Sequence, residues 1–262
     1  FTRCETGVVN VDDPYAEKIM QNASCRLLTM SAQGKPASLA AEHISLHADC
    51  VEFDAAYDGA HCPMTLGIPG IFSVYNALGV VGAALALGVP LDKIAGALRT
   101  AKSVKGRVEV VPTPGKDYTV IIDYSHTPDS LENILCAVRG FCKGRILAVF
   151  GCGGDRDPFK RPVMGRIASE LADISIVTSD NPRTEDPYKI LRQILAGMQE
   201  TQKPYEVIEN RVSAIGRAME LAQKDDVIVL CGKGHETYQE IGHEKHHLDE
   251  REVVAAYLEG GK

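Results

Sequence analysis

The sequence predicts an α/β protein whose later part is a Rossmann-like domain with a mostly parallel sheet. From residue 118 onward, short apolar runs alternate with amphipathic segments of helical length. Two of those segments start with a capping residue followed by proline, at Thr127-Pro128 and Asp186-Pro187. Alternating strands and helices with wholly apolar strands are typical of a parallel sheet that is covered on both faces.

Length and composition limit the class of protein. The 262 residues suffice for one large or two ordinary domains, and the net charge of -7 argues against nucleic-acid and membrane-surface partners. No apolar run is long enough to span a bilayer, and no secretory leader is recognisable. Eight cysteines without CxxC pairs predict reduced thiols in a cytoplasmic protein. Because the chain opens on Phe1 with sequence typical of a domain interior, we expect a fragment.

Residues 1–105 form the first predicted domain. Apolar runs with partial alternation predict strands, and segments after turn signals predict helices. The predicted strands are 8–11, 26–30, 38–46 and 51–56, and the predicted helices are 15–20, 71–87 and 91–99. The many Ala and Gly residues of 71–87 indicate a buried helix that packs closely against a sheet.

Residues 106–262 form the second predicted domain, after a linker at about 102–107. The predicted strands are 118–122, 145–150, 174–178, 205–208 and 227–230. The predicted helices are 128–141, 162–171, 187–200, 212–222 and 249–258. Ligands of such sheets bind at the carboxyl ends of the strands, so the loops that follow the strands are the candidate site.

Two of these loops carry arginines that capping does not require. Arg156 follows one strand and Arg183 follows the next, and the planar guanidinium fork of arginine fits a carboxylate. Arg183 closes the segment Asp180-Asn181-Pro182-Arg183, which combines an acceptor, an amide and a cation. The segment reads as a binding clamp, and the alternative is a solvated turn that starts at Asn-Pro.

A third loop adds the opposite charge. Gly232 and Glu236 follow the last apolar strand, and a carboxylate there can hold an ammonium group. Two arginines with one glutamate predict a site for a zwitterion such as a free amino acid. The alternative is a structural ion pair between Glu236 and one arginine.

A fourth loop carries Asp123 and His126, neither of which is needed to cap the next helix. An acidic residue at a strand end can bind ribose hydroxyls, and the histidine can stack on a base or contact a phosphate. The alternative is a histidine that bonds its own loop. No GxxxxGK[ST] segment occurs in the chain, and His243, His246 and His247 do not match a zinc pattern.

Five segments together resemble the Mur ligase family. They read IPGIFSVYNALGV, DYSHTPDSL, GCGGDRDPFKRP, TSDNPRTEDP and GKGHETYQ. By this resemblance, residues 106–262 are similar to the family's C-terminal ligase domain, which binds the incoming amino acid. Residues 1–105 resemble the later part of its α/β P-loop-type, ATP-binding central domain, without the phosphate loop.

The resemblance implies an ATP-dependent amide-bond ligase of peptidoglycan synthesis with Mg²⁺ as second cofactor. ATP would phosphorylate a carboxylate of UDP-N-acetylmuramoyl-L-alanyl-D-glutamate, and the amine of the incoming amino acid would attack the acyl phosphate. The DNPR motif resembles the members that add meso-diaminopimelate. The residues implied for that amino acid are Arg156, Asp180, Asn181, Pro182, Arg183, Gly232 and Glu236. The residues implied for ATP are Asn76, Arg107, Asp123 and His126.

The chain departs from the family pattern in what it lacks. The phosphate loop, the uridine-binding domain and the carbamylated lysine that supports magnesium have no counterpart in these residues. We therefore expect no catalysis by this piece alone, and neither a catalytic residue nor a metal ligand is assigned. The alternatives are a lysine-adding or folylpolyglutamate-type ligase, and a non-catalytic module that binds an amino acid or nucleotide.

Overall fold

The structure is a computed structural model that describes residues 3–199 and 201–260. The chain divides into two compact units, with the division between Lys102 and Ser103. Within the described ranges, no helix is both long and apolar enough to cross a bilayer. All eight cysteines lie in those ranges, and all are free thiols.

The first unit is a five-stranded sheet with three helices. Its elements are β1 (Thr6–Asn10), α1 (Ala16–Gln21), β2 (Arg26–Ser31), β3 (Leu39–Leu46), β4 (Val51–Tyr57), β5 (Ala60–Leu66), α2 (Ile71–Ala86) and α3 (Leu91–Leu98). The strands lie in the order β1-β2-β3-β4-β5. Strands β1, β2 and β3 are parallel, and β4 is antiparallel to both of its neighbours, β3 and β5.

Helix α2 packs on this sheet, as its small residues predict. Val74 and Leu78 are fully buried against Leu39 of β3. A Cβ atom at Gly82 would lie 2.8 Å from Val8 of β1, so this glycine permits the close approach of helix and strand. The unpredicted strand is β5, which contains Pro63 and lies at the sheet edge, where the lost donor is tolerated.

The second unit is a six-stranded sheet with five helices and a hairpin. Its elements are β6 (Glu109–Val111), β7 (Thr119–Asp123), α4 (Pro128–Arg139), β8 (Ile146–Phe150), α5 (Lys160–Leu171), β9 (Ile174–Val177), α6 (Pro187–Ala196), β10 (Tyr205–Val207), α7 (Arg211–Leu221), β11 (Val227–Cys231), β12 (Tyr238–Ile241), β13 (Glu244–His247) and α8 (Glu250–Leu258). The sheet order is β10-β9-β8-β11-β7-β6.

This sheet confirms the predicted parallel α/β architecture. Every neighbouring pair is parallel except β6 with β7. All residues of β8 and β11 are buried, as expected for central strands covered on both faces. Helix α4 packs on α5 and α5 on α6, whereas α7 packs on α8.

The predicted caps are present at two helices. Thr127 forms a reciprocal capping box with Ser130 at α4, and Asp186 accepts a hydrogen bond from the Tyr188 backbone at α6. Helix α6 ends at Ala196, earlier than predicted, and the predicted end at residue 200 lies outside the described residues. The short strand β6 and the hairpin β12–β13 were not predicted.

Candidate functional site

Four loops enclose one cavity of about 650 Å³ in the second unit. They follow β7, β8, β9 and β11, which lie side by side in the order β9-β8-β11-β7. Because parallel strands end at the same edge, these loops are neighbours even though the chain separates them widely. The sheet therefore gathers the polar loops on one rim.

Most of the predicted ligand residues line this cavity. The lining residues that sequence reasoning singled out are His126, Arg156, Asp180, Asn181, Arg183, Gly232 and Glu236. Pro182 is not among the lining residues, and its carbonyl would lie 1.9 Å from a Cβ atom at Gly154. Pro182 thus contributes loop shape, and Gly154 lets the two loops meet. Asn76 is an exposed residue of α2 in the first unit.

Arg183 is held in place by the hairpin β12–β13. Its backbone has a positive φ of 49° and bonds to the hairpin on both sides, from its N–H to Glu240 and from Gly242 to its carbonyl. Its Nε donates to Glu240 Oε2 at 3.0 Å, and its Nη1 donates to the Gly154 carbonyl at 2.8 Å. A Cβ atom at Gly153 would lie 2.9 Å from Nη1, so that glycine makes room for the guanidinium group.

Asn181 and Glu236 are joined directly. Asn181 Nδ2 donates to Glu236 Oε2 at 2.9 Å, and its Oδ1 accepts from the Glu240 backbone at 2.9 Å. The carboxylate of Asp180 lies beside Gly232, where a Cβ atom would be 2.5 Å from Asp180 Oδ2. The loops after β9 and β11 therefore form one polar wall of the cavity.

Arg156 differs from Arg183 because it is exposed and lightly held. Its Nη1 donates to the carbonyl of Asp155 at 3.0 Å. Within the described ranges, no carboxylate lies within 4 Å of its guanidinium group. Arg156 is therefore a cation at the cavity that a ligand carboxylate can pair with.

Of the residues predicted to bind the nucleotide in this unit, one lines the cavity and two do not. The Asp123 carboxylate is buried and accepts hydrogen bonds from the Val108 backbone and from Ser125, so it does not line the cavity. His126 lines the cavity, but its Nδ1 bonds the Tyr124 carbonyl of its own loop at 2.8 Å. Arg107 lies outside the lining, with its guanidinium carbon 4.9 Å from the centre of the Tyr124 ring.

Tyr124 was not predicted, although it lines the cavity at this edge. Its ring centre lies 4.7 Å from that of His126 and 5.0 Å from that of His235. With Arg107, these rings form an aromatic and cationic surface on which a base can stack. Burial, followed by the charges of Glu236 and Asp180, raises the pKa of Tyr124, so the phenol stays neutral.

A buried arginine fixes the loop after β8 to the loop after β9. Arg161 is 1% exposed, and it donates to both carboxylate oxygens of Glu185, at 3.0 and 2.7 Å. The same guanidinium group donates to Gln193 and to the Gly153 carbonyl. The hydrogen bonds from Arg161 lower the pKa of Glu185 to about 2, so the pair is charged at neutral pH.

A second buried ion pair lies behind the site. Arg211 and Glu250 are both fully buried, with Nη2 and Oε1 2.7 Å apart. Arg211 Nη2 also donates to the Cys231 carbonyl at 2.8 Å. Its Nη1 lies 3.5 Å from the Ser179 carbonyl oxygen. It therefore connects the ends of two strands to the start of α8. Glu250 Oε2 is buried without a hydrogen-bond partner among the described atoms.

Among residues 3–199 and 201–260, no group of three or more His, Cys, Asp or Glu side chains is arranged to hold a metal ion. Magnesium prefers oxygen ligands in a complete octahedron and usually keeps several waters and substrate phosphates. The described side chains by themselves do not fit a magnesium site.

Comparison with known proteins gives a consistent result for both units. The model of the Mur ligase middle domain matches residues 1–84, and that of the Mur ligase glutamate ligase domain matches residues 106–234. A UDP-N-acetylmuramoyl-L-alanyl-D-glutamate–2,6-diaminopimelate ligase of Clostridium botulinum is 47% identical over 255 residues, which are 97% of this chain and 52% of that protein. One of the same name from Caldanaerobacter subterraneus subsp. tengcongensis is 45% identical over 254 residues, 97% of this chain and 52% of that protein.

Solved structures of Mur ligases have the same fold as this chain. A structure of a ligase with that name superposes with a TM-score of 0.78 at 31% identity and covers 98% of this chain and 53% of its own. The MurF ligase of Thermotoga maritima in complex with ADP has a TM-score of 0.62 at 15% identity, over 86% of this chain and 49% of its own, and shows the shared fold. The chain spans about half the length of the relatives it matches. With both of its units matched by models of the same family, the chain belongs to the Mur ligases.

Proposed function

We propose that this chain is part of an ATP-dependent ligase that adds meso-diaminopimelate to UDP-N-acetylmuramoyl-L-alanyl-D-glutamate, and that the second unit binds the incoming amino acid. The observation that carries the proposal is one cavity lined by Arg156, Arg183 and Glu236 together. The names of the relatives support the same reaction for the whole protein. The cytoplasmic location expected from the reduced thiols belongs to this proposal.

The cavity offers a cationic partner for each ligand carboxylate and an anionic partner for one ammonium group. Meso-diaminopimelate has two carboxylates and two amino groups, one pair at each end. In the described ranges, Nη2 of Arg183 has no protein acceptor, and neither do Nε and Nη2 of Arg156, so these donors are available to ligand carboxylates. Charge-assisted hydrogen bonds from such forks are short and directional. Glu236 supplies the negative partner for an ammonium group.

Lysine fits this arrangement less well. It has a single carboxylate, so one of the two arginines would have no ligand carboxylate to pair with. A site whose donors bond a ligand group discriminates against an analogue that lacks this group, because those donors are left without that partner. The lysine-adding and folylpolyglutamate-type readings therefore have less support than the diaminopimelate reading.

The contribution of this chain to the reaction is to hold and orient the amine. Fixing a nucleophile near its target replaces a bimolecular encounter with a local one. ATP supplies the phosphoryl group that activates the acceptor carboxylate. The surface formed by Tyr124, His126 and Arg107 fits the base of such a nucleotide. No step here depends on magnesium.

Calorimetry on the 262-residue chain tests whether meso-diaminopimelate is the ligand. We expect meso-diaminopimelate to bind, and Arg183→Ala to weaken binding by about tenfold or more, the loss of a hydrogen bond between charged groups. Arg192→Ala is the matched control, because Arg192 is an exposed arginine of α6 that pairs with Asp186. Equal binding by the wild type and Arg183→Ala would contradict the clamp.

Two further measurements separate the alternatives. L-Lysine binding as tightly as meso-diaminopimelate would contradict the ligand assignment. A GxxxxGK[ST] segment in the sequence that precedes Phe1 would favour the ligase over a non-catalytic binding module, because that segment cradles the phosphates of ATP.

A further inference from the structure

Lys233 is a fully buried lysine directly behind the cavity wall. It is 0% exposed and follows β11 in the segment Gly232-Lys233-Gly234. Its Nζ donates to Asn181 Oδ1 at 2.8 Å and to Glu236 Oε2 at 3.2 Å, and it lies 3.6 Å from Asp180 Oδ1. Its three partners line the cavity, but Lys233 does not. A buried ammonium group is costly unless it is paired, and here two carboxylates surround it.

These bonds allow one orientation of the Asn181 amide. Oδ1 accepts from Lys233 and from the Glu240 backbone, so Nδ2 must be the atom that donates to Glu236. Glu236 Oε2 is then occupied by two donors. Glu236 Oε1 has no protein donor in the described part of the chain and is available to a ligand.

We propose that Lys233 is a positioning residue of this cavity: its ammonium group orients Asn181 and Glu236 and neutralises one of two carboxylates, so that the wall offers a single negative charge to a ligand ammonium group. This inference deepens the proposed function and depends on it only for the identity of the ligand. Lys233 acts through its neighbours and does not itself touch the ligand.

The other groups around the wall do not replace this cation. Tyr124 and Tyr238 face it from the loop after β7 and from the hairpin, with the Tyr238 ring centre 5.8 Å from Lys233 Nζ, and His235 lies against Tyr124. The Arg211 guanidinium, on the side of Asp180, pairs with Glu250, and the Arg183 guanidinium pairs with Glu240. Among the residues that the structure describes, Lys233 is therefore the cation that contacts both carboxylates of the wall, those of Asp180 and Glu236.

If Lys233 acts through its charge, a variant without that charge should change the protonation of the two wall carboxylates, which a purely structural role would not do. In Lys233→Met, Asp180 and Glu236 would lie in the same wall without their shared cation, and repulsion between like charges is expected to make one of them take up a proton. Infrared difference spectra of the ligand-free chain should show the C=O stretch of one carboxylic acid, absent in the wild type and lost in the double variant Lys233→Met with Glu236→Gln.

Two variants keep the test independent of folding defects. Lys233→Gln retains a hydrogen-bond donor for Asn181 without the charge, so it should show the same protonation if the methionine variant does not fold. Lys203→Met is the matched control, because Lys203 donates to the carbonyls of Glu170 and Ala172, away from the cavity. A folded Lys233 variant with both carboxylates ionised, as in the control, would overturn the inference.

Calorimetry with meso-diaminopimelate in two buffers of different ionisation enthalpy supplies the ligand readout. We expect Lys233→Gln to bind about 30-fold or more weakly and to release up to one proton per ligand, because the ligand ammonium displaces the proton from the carboxylate pair. Wild-type binding should release none. If the wild type fails to bind while the infrared band appears, the ligand is wrong and the role of Lys233 stands. If Lys233→Gln binds with unchanged affinity and releases no proton, the positioning role of Lys233 is refuted and the ligand assignment stands.

Discussion

The two units differ in where they bury polar groups. In the first unit, the buried polar residues are Ser31 and Ser73, whereas the second unit buries fourteen in its described part. Eight of the fourteen carry a formal charge: Asp123, Arg161, Asp180, Arg211, Asp226, Lys233, Asp249 and Glu250. The first sheet is therefore stabilised by apolar packing on α2, and the second combines an apolar core with charged groups near its strand ends.

This difference supports the proposed ligand site in the second unit. A buried ion pair is a weak source of stability, because the loss of hydration offsets most of the attraction between the charges. Three of the buried charged residues, Asp123, Asp180 and Lys233, lie at or just after the carboxyl ends of strands, and charged groups gathered there are more readily explained by binding than by folding. The apolar unit and the polar unit should accordingly respond to different substitutions.

The largest expected effect is at the buried pair of the second unit. Arg211→Met leaves Glu250 charged and buried without its partner, which should lower the free energy of unfolding of this unit by roughly 3–5 kcal/mol. Urea unfolding followed by circular dichroism measures the loss, and hydrogen exchange of β11 assigns it to the second unit.

Two variants show whether the charge is the cause. Adding Glu250→Met to Arg211→Met should recover most of the lost stability, since two apolar groups of similar volume replace the pair. Arg192→Met removes an exposed pair with Asp186 and should change stability by at most about 1 kcal/mol. If Arg211→Met cost no more than Arg192→Met, a buried Glu250 without its partner would not destabilise the second unit.

A smaller effect is expected from an apolar truncation in the first unit. Leu78 of α2 is fully buried, and Leu78→Ala should lower the unfolding free energy of this unit by about 3 kcal/mol through the cavity it leaves. Leu87→Ala is the control, because Leu87 is 84% exposed. Hydrogen exchange should become faster in β1 to β3 and remain unchanged in β11. Equal losses in the two units would mean that they unfold together.

Local pattern predicted the parts of the fold that repeat a simple rule. The wholly apolar runs at β8 and β11 and the Thr127-Pro128 cap each depend on neighbouring residues, so they could be read from the sequence. The hairpin β12–β13 lacks an apolar alternation because most of it is exposed. Its two-residue turn Gly242-His243 is the feature that could have revealed it.

The candidate site was predictable by residue type but not by contact. Arg156 and Arg183 stood out because neither was needed as a cap, and both line the cavity. Lys233 and the pair Arg161–Glu185 gave no local sign of their burial, because their partners come from other loops of the sheet. Asp123 looked available from its strand-end position, but Val108 and Ser125 occupy its carboxylate.

The smallest expected effect is a pH dependence confined to the second unit. The pKa of Glu185 is lowered from 4.5 to about 2 by the hydrogen bonds from Arg161. A lowered pKa in the folded protein means that this stabilisation is complete above about pH 4.5 and declines as the pH falls toward 2. Because Glu185 is partly exposed, we expect a contribution of about 1 kcal/mol at neutral pH.

Glu185→Gln removes this titrating group and keeps an acceptor for Arg161. The stability difference between the wild type and this variant should therefore be largest at neutral pH and shrink between about pH 4.5 and 2. Glu220→Gln, at an exposed carboxylate of α7, controls for the loss of one negative charge. Thermal unfolding across this pH range, with hydrogen exchange in α5 and α6, measures the effect. A difference that stays constant with pH would mean that the ionised form of Glu185 does not hold the loops after β8 and β9 together.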